Sequence, residues 1–261
     1  MTLGLPPRGG RGPGRGLTAV IDFGPDSAGW TGVRGVEDLL AIAGPYIDFA
    51  KIYAMNALLV PQEPLTRIVA AYAAAGVATF SGGILFEWAH RQDEVEALTP
   101  LLRTLGIRGL EISENYIRLE PAERDRWISW FRDQGFDVIY EFGRKTPDEP
   151  IDLDRLAGVV AAAREAGAHH VIVEQSEIDL ATRSDAGILE RLARAPWFDD
   201  ILIEADPLHF PTQHADLIRR FGANVSLANV APGQALRLEG LRRGIGRGVD
   251  YAMFAEEEVP A

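Results

Sequence analysis

Asp22, Lys51, Glu111, Glu141, Glu174, Glu177, Glu204, Asp206 and Asn229 each stand at or just beyond the end of a short apolar run. Glu87 follows another such run in GGILFE, and Arg144 and Lys145 follow Glu141 in EFGRK. The set holds eight carboxylates (22, 87, 111, 141, 174, 177, 204 and 206) against three cations, Lys51, Arg144 and Lys145. Carboxylates brought together repel, and one that is desolvated without a partner is forced toward protonation. A divalent cation relieves both problems. The chain has no cysteine and its five histidines do not cluster. An all-oxygen donor set points to Mg²⁺, with Mn²⁺ as the alternative, rather than to zinc. Magnesium takes few carboxylates and keeps several waters, which leaves the other acids to orient lysines, hold waters or receive protons. The competing reading is a ring of structural ion pairs.

The lysines narrow the chemistry. A lysine at such a position can neutralise a developing enolate, donate a proton or form a Schiff base. Schiff-base work requires a lowered pKa, whereas surrounding carboxylates keep an amine charged. Electrostatic and general-acid roles are therefore expected for Lys51 and Lys145. Lys51 lies inside an apolar run, IDFAKIYA, which argues against simple exposure. Two glycine-bearing stretches could present backbone N–H groups or arginines to an anion: SGGIL, with Gly82 and Gly83, and RRGIGRG, with Arg242, Arg243 and Arg247. A tight turn and a basic helix end explain them equally well. His209 follows an apolar run and is a candidate acid–base group. His169 and His170 begin one, and His90 and His214 fall in helical stretches, where exposure to solvent is expected.

The elements that carry these residues repeat. Strand patterns occur at 17–24, 47–54, 77–83, 109–114, 136–143, 169–177, 200–206 and 224–230. Amphipathic helical stretches alternate with them, several ending in glycine, as at Gly76, Gly135 and Gly167. Eight strand–helix units in 261 residues match a closed (β/α)₈ TIM barrel, an α/β fold whose chemistry sits where strands exit into βα loops. The expected organisation is an N-terminal arm over 1–16 carrying Arg8, Arg11 and Arg15, a barrel domain over 17–250, and a C-terminal tail over 251–261.

The runs GLTAVIDFG, VEDLLAIAGPYIDFAKI, GGILFE, GLEISE, EFGRK, GAHHVIVE, FGANVSLANV and LEGLRRG, in this order, resemble the phosphosulfolactate synthase family over about residues 15 to 250. The resemblance implies a Mg²⁺-dependent barrel lyase that adds sulfite to phosphoenolpyruvate through an enolate. It implies Lys145 as general acid, with Lys51, Glu141 and Glu111 as the other catalytic residues. It maps the family's acidic strand exits to Asp22, Glu111, Glu141, Glu174 and Glu204; with the residue reading above, Asp22, Glu174 and Glu204 are the expected metal ligands, and Gly82, Gly83, Arg144, Asn229 and His209 the expected substrate-binding residues. It also implies a homo-oligomer of three or more copies. Several cationic or anion-binding positions of the family pattern are changed, among them Phe23, YAMNA at 53–57, Ser176 and Leu208, which puts the native substrate pair in question. Alternatives are a barrel acting on a less anionic substrate, a non-catalytic stress-associated relative, or an aldolase-type Schiff base on Lys51.

The bulk numbers are compatible with this. A content of 47% hydrophobic and 25% charged residues suits a globular protein, and a formal charge of −12 argues against nucleic acid as partner. No apolar run approaches the roughly 20 residues of a membrane span. Absent cysteine and an N-terminus without an apolar signal core suit the cytoplasm. The expected partner is a small anionic or enoyl molecule.

Overall fold

Eight parallel strands close into a barrel in sequential order, β1 through β8, in a computed structural model describing residues 4–5, 15–26 and 31–254. They are β1 (Thr18–Asp22), β2 (Phe49–Ile52), β3 (Ala78–Ser81), β4 (Gly109–Ile112), β5 (Asp137–Phe142), β6 (Ala168–Val173), β7 (Ile201–Glu204) and β8 (Leu227–Val230). Seven lie within their expected windows and β6 starts one residue early, at Ala168; buried apolar residues fill most positions of all eight. Helices alternate with the strands on the outside. Gly76, Gly135 and Gly167 take positive φ at helix ends, the conformation that residues with a Cβ resist.

The barrel interior is a thin plug of Ala19, Phe80, Ile139, Ile172, Leu202 and Ala228, with Leu17 and Phe49 against it. A larger apolar layer lies between strands and helices, from Leu110, Val138 and Val171 out to Leu102, Phe131 and Leu156. Side chains alternate across a strand, so residues two positions beyond the plug point back to the barrel axis at its C-terminal mouth. This parity selects Lys51 after Phe49, Glu141 after Ile139, Glu174 after Ile172 and Glu204 after Leu202.

The opposite end is closed by arginine. Arg15 Nη2 lies 3.0 Å from Asp48 Oδ2, and Arg242 donates to Leu17 O at 3.1 Å and Ala223 O at 3.0 Å. Arg15 and Gly16, expected in the arm, are therefore part of the fold; Arg8 and Arg11 lie outside the described residues. Arg242 is committed to carbonyls beside the strand starts, and Arg243 bonds Glu239. RRGIGRG is thus a basic helix end, remote from the mouth. His214 also departs from expectation: it is fully buried, and its ring packs edge-on at 4.9 Å from Phe210. Among the described residues no helix is long and apolar enough to cross a membrane.

Candidate active site

Four carboxylates and two ammonium groups meet at the mouth. Lys51 Nζ lies 2.8 Å from Glu111 Oε2 and 3.7 Å from Glu141 Oε2. Lys145 reaches in from the loop after β5, pairing with Glu174 and lying 3.3 Å from Glu204 Oε1. The four carboxylates and Lys51 are buried, whereas the Lys145 side chain is 40% exposed. With all six ionised, the cluster holds two uncompensated negative charges.

The protonation energetics reflect that excess. Burial pushes Glu111 up to about 7, with Lys51 opposing it. Glu204 is driven well above the usual carboxylate range by burial and by Glu141. Glu141, equally buried, is held below its ordinary value because Lys51, Lys145 and the Asn115 amide outweigh desolvation. For Lys51, burial favours the neutral amine, but Glu111, Glu141 and Glu204 keep the ammonium well above its usual value. Lys145 behaves likewise through Glu204, Glu141 and Glu174. Neither lysine is the neutral nucleophile that Schiff-base chemistry needs.

A divalent cation has a matching donor set, though not the expected one. One oxygen from each of Glu141, Glu174 and Glu204 lies within 4.8 Å of the others. Glu204 Oε2 is buried with no hydrogen-bonding partner among the described residues. Three carboxylates, one presenting an unpartnered buried oxygen, fit Mg²⁺ or Mn²⁺. Asp22 falls outside this group for a reason of parity. It shares the face of Val20, toward the helix layer, and its carboxylate accepts from Tyr72 Oη at 2.9 Å, Gly24 N at 2.9 Å and the Thr31 hydroxyl. The third carboxylate beside Glu174 and Glu204 is Glu141.

The remaining exit acids build loops. Glu87 accepts from Ser113, Asn115 N at 2.9 Å and Tyr116 N at 2.7 Å, fixing the turn after β4. That turn aims Asn115 Nδ2 at Glu141 Oε1, 2.7 Å away. Glu177 accepts from Arg144 N at 3.1 Å, and Asp206 from Leu208 N at 2.8 Å and His209 Nδ1 at 2.6 Å. His209 is otherwise exposed and does not join the cluster.

The glycine turn after β3 binds an anion, but the anion is the protein's own. Gly83 N donates to Glu111 Oε1 at 2.8 Å, and Gly82 N to Ile52 O at 2.9 Å. A Cβ on Gly83 would sit 2.3 Å from Ser113 Oγ, so glycine is required for this approach. The N–H of Gly83 thus positions Glu111, and that of Gly82 is taken by Ile52, so neither is open to substrate. The Arg144 side chain lines a cavity of about 460 Å³ with Arg118, Arg155, Tyr140 and Phe142, on the outer face of β5 away from Glu141. Asn229 remains a candidate substrate contact. A register shift between β1 and β8 accompanies its positive φ of 57°, and its Oδ1 is buried without a partner among the described residues.

Asn115 is the site residue that sequence reading missed. It stands beyond the end of β4 in a polar stretch, and only the Glu87 contacts reveal where its amide points.

A closed (β/α)₈ barrel with paired lysines and converging carboxylates at the C-terminal mouth has the architecture of a barrel enzyme. The family described as (2R)-phospho-3-sulfolactate synthase (ComA) matches residues 7–247, and the chain belongs to this family. It is 32% identical over 254 residues to the phosphosulfolactate synthase of Methanothermobacter thermautotrophicus, covering 92% of this chain and 93% of that protein. Against the phosphosulfolactate synthase of Methanocaldococcus jannaschii it is 30% identical over 240 residues, covering 88% and 92%. Among solved structures, dihydrodipicolinate synthase of Agrobacterium tumefaciens is similar in fold alone, with TM-score 0.54, 16% identity, and 92% and 77% of the two chains covered.

Proposed function

We propose that this protein is a Mg²⁺-dependent lyase-type enzyme that adds a nucleophile to the β-carbon of an enoyl carboxylate through an enolate. Family membership supports a lyase-type addition. The observation that carries the reading is the convergence of Lys51, Lys145, Glu111, Glu141, Glu174 and Glu204 at the barrel mouth. Mn²⁺ suits the same donors.

Glu141, Glu174 and Glu204 would hold the metal, which when bound supplies positive charge against the negative charge that develops on the substrate carboxylate. Lys51 is fixed by Glu111 and Glu141, adding a second, preorganised positive charge. Glu111 is in turn oriented by Gly83 N–H. As the nucleophile's electron pair forms the bond to the β-carbon, the π electrons move toward the carboxylate. The Lys145 ammonium then delivers its proton to the α-carbon, and solvent restores that proton. The partial exposure of the side chain gives solvent access for that return. Sulfite is the nucleophile that the family name implies, with phosphoenolpyruvate as its acceptor.

The test is incubation with Mg²⁺ and sulfite in D₂O, using phosphoenolpyruvate, crotonate and cinnamate as acceptors and mass spectrometry as readout. A sulfonated adduct carrying one deuterium at the α-carbon is expected for at least one acceptor, and the Lys145→Ala variant should lose it. No adduct above that variant with any acceptor would contradict the reading.

A further inference from the structure

The turn after β4 is held by a carboxylate of the neighbouring unit. Glu87, buried on the helix Gly83–Arg91, accepts from the Ser113 hydroxyl and from the backbone N–H groups of Asn115 and Tyr116. With the backbone fixed in this way, the Asn115 side chain crosses to Glu141. Charge sets the orientation of its amide. Glu141 is kept ionised by Lys51 and Lys145, so the atom 2.7 Å from its Oε1 is the donor Nδ2 and not the carbonyl oxygen.

That orientation leaves Asn115 Oδ1 to another partner. The atom is buried and accepts no hydrogen bond from any described residue. Glu204 Oε2 and Asn229 Oδ1, at the exits of β7 and β8, are buried and unpartnered in the same way. All three are acceptors. The donors of the cluster, by contrast, are matched: Lys51 and Lys145 each face two carboxylates, and the Gly83 N–H meets Glu111. A ligand that suits this set brings hydrogen-bond donors as well as positive charge, because buried acceptors are otherwise left unsatisfied.

A cation stripped of water satisfies carboxylates but donates nothing to an amide oxygen. One that keeps part of its water shell does both, since each retained water has hydrogens to give. Mg²⁺ dehydrates reluctantly and keeps several waters, whereas Ca²⁺ takes more oxygen ligands directly and in looser geometry. An acceptor placed beside a ligand carboxylate, as Asn115 Oδ1 is beside Glu141, therefore favours the smaller, hydrated ion.

We infer that Asn115 is a positioning residue that sets the preference of the metal site for Mg²⁺ over Ca²⁺. Its Nδ2 fixes Glu141 as a ligand, and its Oδ1 accepts from a water that the cation retains. This inference rests on the metal site of the proposed function, and its test is binding rather than turnover. Mn²⁺ titration of the full chain, followed by electron paramagnetic resonance of the free ion with Mg²⁺ and Ca²⁺ as competitors, gives all three affinities. In Asn115→Ala the affinity for Mg²⁺ should fall about tenfold or more and that for Ca²⁺ by no more than about threefold. Asn115→Ser, measured alongside, should show the same pattern, with thermal unfolding of the metal-free proteins confirming that both variants fold. Equal losses for the two cations would reduce Asn115 to a support for Glu141 and overturn the inference, as would affinities unchanged in both variants. Wild-type protein that binds none of the three ions would overturn the metal reading itself and the inference with it.

Discussion

Lys51 and Glu111 form a buried ion pair of 2.8 Å in which the same ammonium also faces Glu141 at 3.7 Å, so one cation stabilises two desolvated acids. Removing it leaves both without their main compensation. Lys51→Met should cost about 3–5 kcal/mol at pH 8, the range for breaking a buried pair by deleting one partner. The loss should shrink at pH 5, where the stranded carboxyls take up protons. Urea unfolding at the two pH values checks this, and an equal loss at both would show that charge is not the cause.

Asp22 and Glu174 separate structure from metal binding. Asp22→Asn should weaken the hydrogen bonds to Tyr72, Thr31 and Gly24 and cost roughly 1–2 kcal/mol of stability while leaving Mn²⁺ affinity unchanged. Glu174→Gln should lower Mn²⁺ affinity by about tenfold or more with little effect on the fold. Electron paramagnetic resonance of free Mn²⁺ measures the affinity, and thermal unfolding measures stability.

The turn after β3 depends on the absence of one methyl group. A Cβ at position 83 would press on Ser113 Oγ at 2.3 Å and approach Glu111 Oε1 at 3.0 Å. Gly83→Ala should destabilise by about 1–3 kcal/mol and displace Glu111. Adding Ser113→Gly removes the closest clash and should recover part of the loss, which thermal unfolding of the single and double variants would show.

His214 makes the protein sensitive to acid from within the fold. Burial lowers its pKa from 6.5 to about 4, so the folded protein keeps the ring neutral over a range in which the unfolded chain protonates it. Its stability contribution is therefore full above pH 6.5 and is lost as pH falls toward 4. The span corresponds to roughly 3 kcal/mol. His214→Leu should flatten that limb of the stability profile, measured by denaturant unfolding from pH 4 to 7.5. Glu111 works in the opposite direction, its contribution being full below 4.5 and lost as pH rises through about 7.

The barrel was legible because each strand is a short buried run and the helical stretches between them carry their own period, several closed by a glycine such as Gly76, Gly135 or Gly167. The inward glutamates were legible for a related reason: Glu141, Glu174 and Glu204 each stand two residues after an apolar residue of the barrel plug. Asp22 looked equivalent because it too ends an apolar run. Its parity is opposite, following Val20 toward the helices, a distinction available only once the inner row is known. The Gly82–Gly83 turn was read as open to a ligand, since a sequence shows that N–H groups can approach an anion but not that Glu111 already fills the place. His214 was read as exposed because its helix is polar on average, yet it stands three and four residues before Leu217 and Ile218 on the apolar face, which was the available sign of its burial. Asn115 was hidden because its role is set by Glu87 from a neighbouring element.

The central claim is that Glu141, Glu174 and Glu204 close on one divalent cation between the two lysines. Anomalous diffraction from crystals soaked in Mn²⁺ tests it most directly. The account predicts a single strong peak within coordination distance of those three carboxylates, lost in Glu174→Gln. A peak at Asp22, or no peak at the barrel mouth at saturating Mn²⁺, would contradict it.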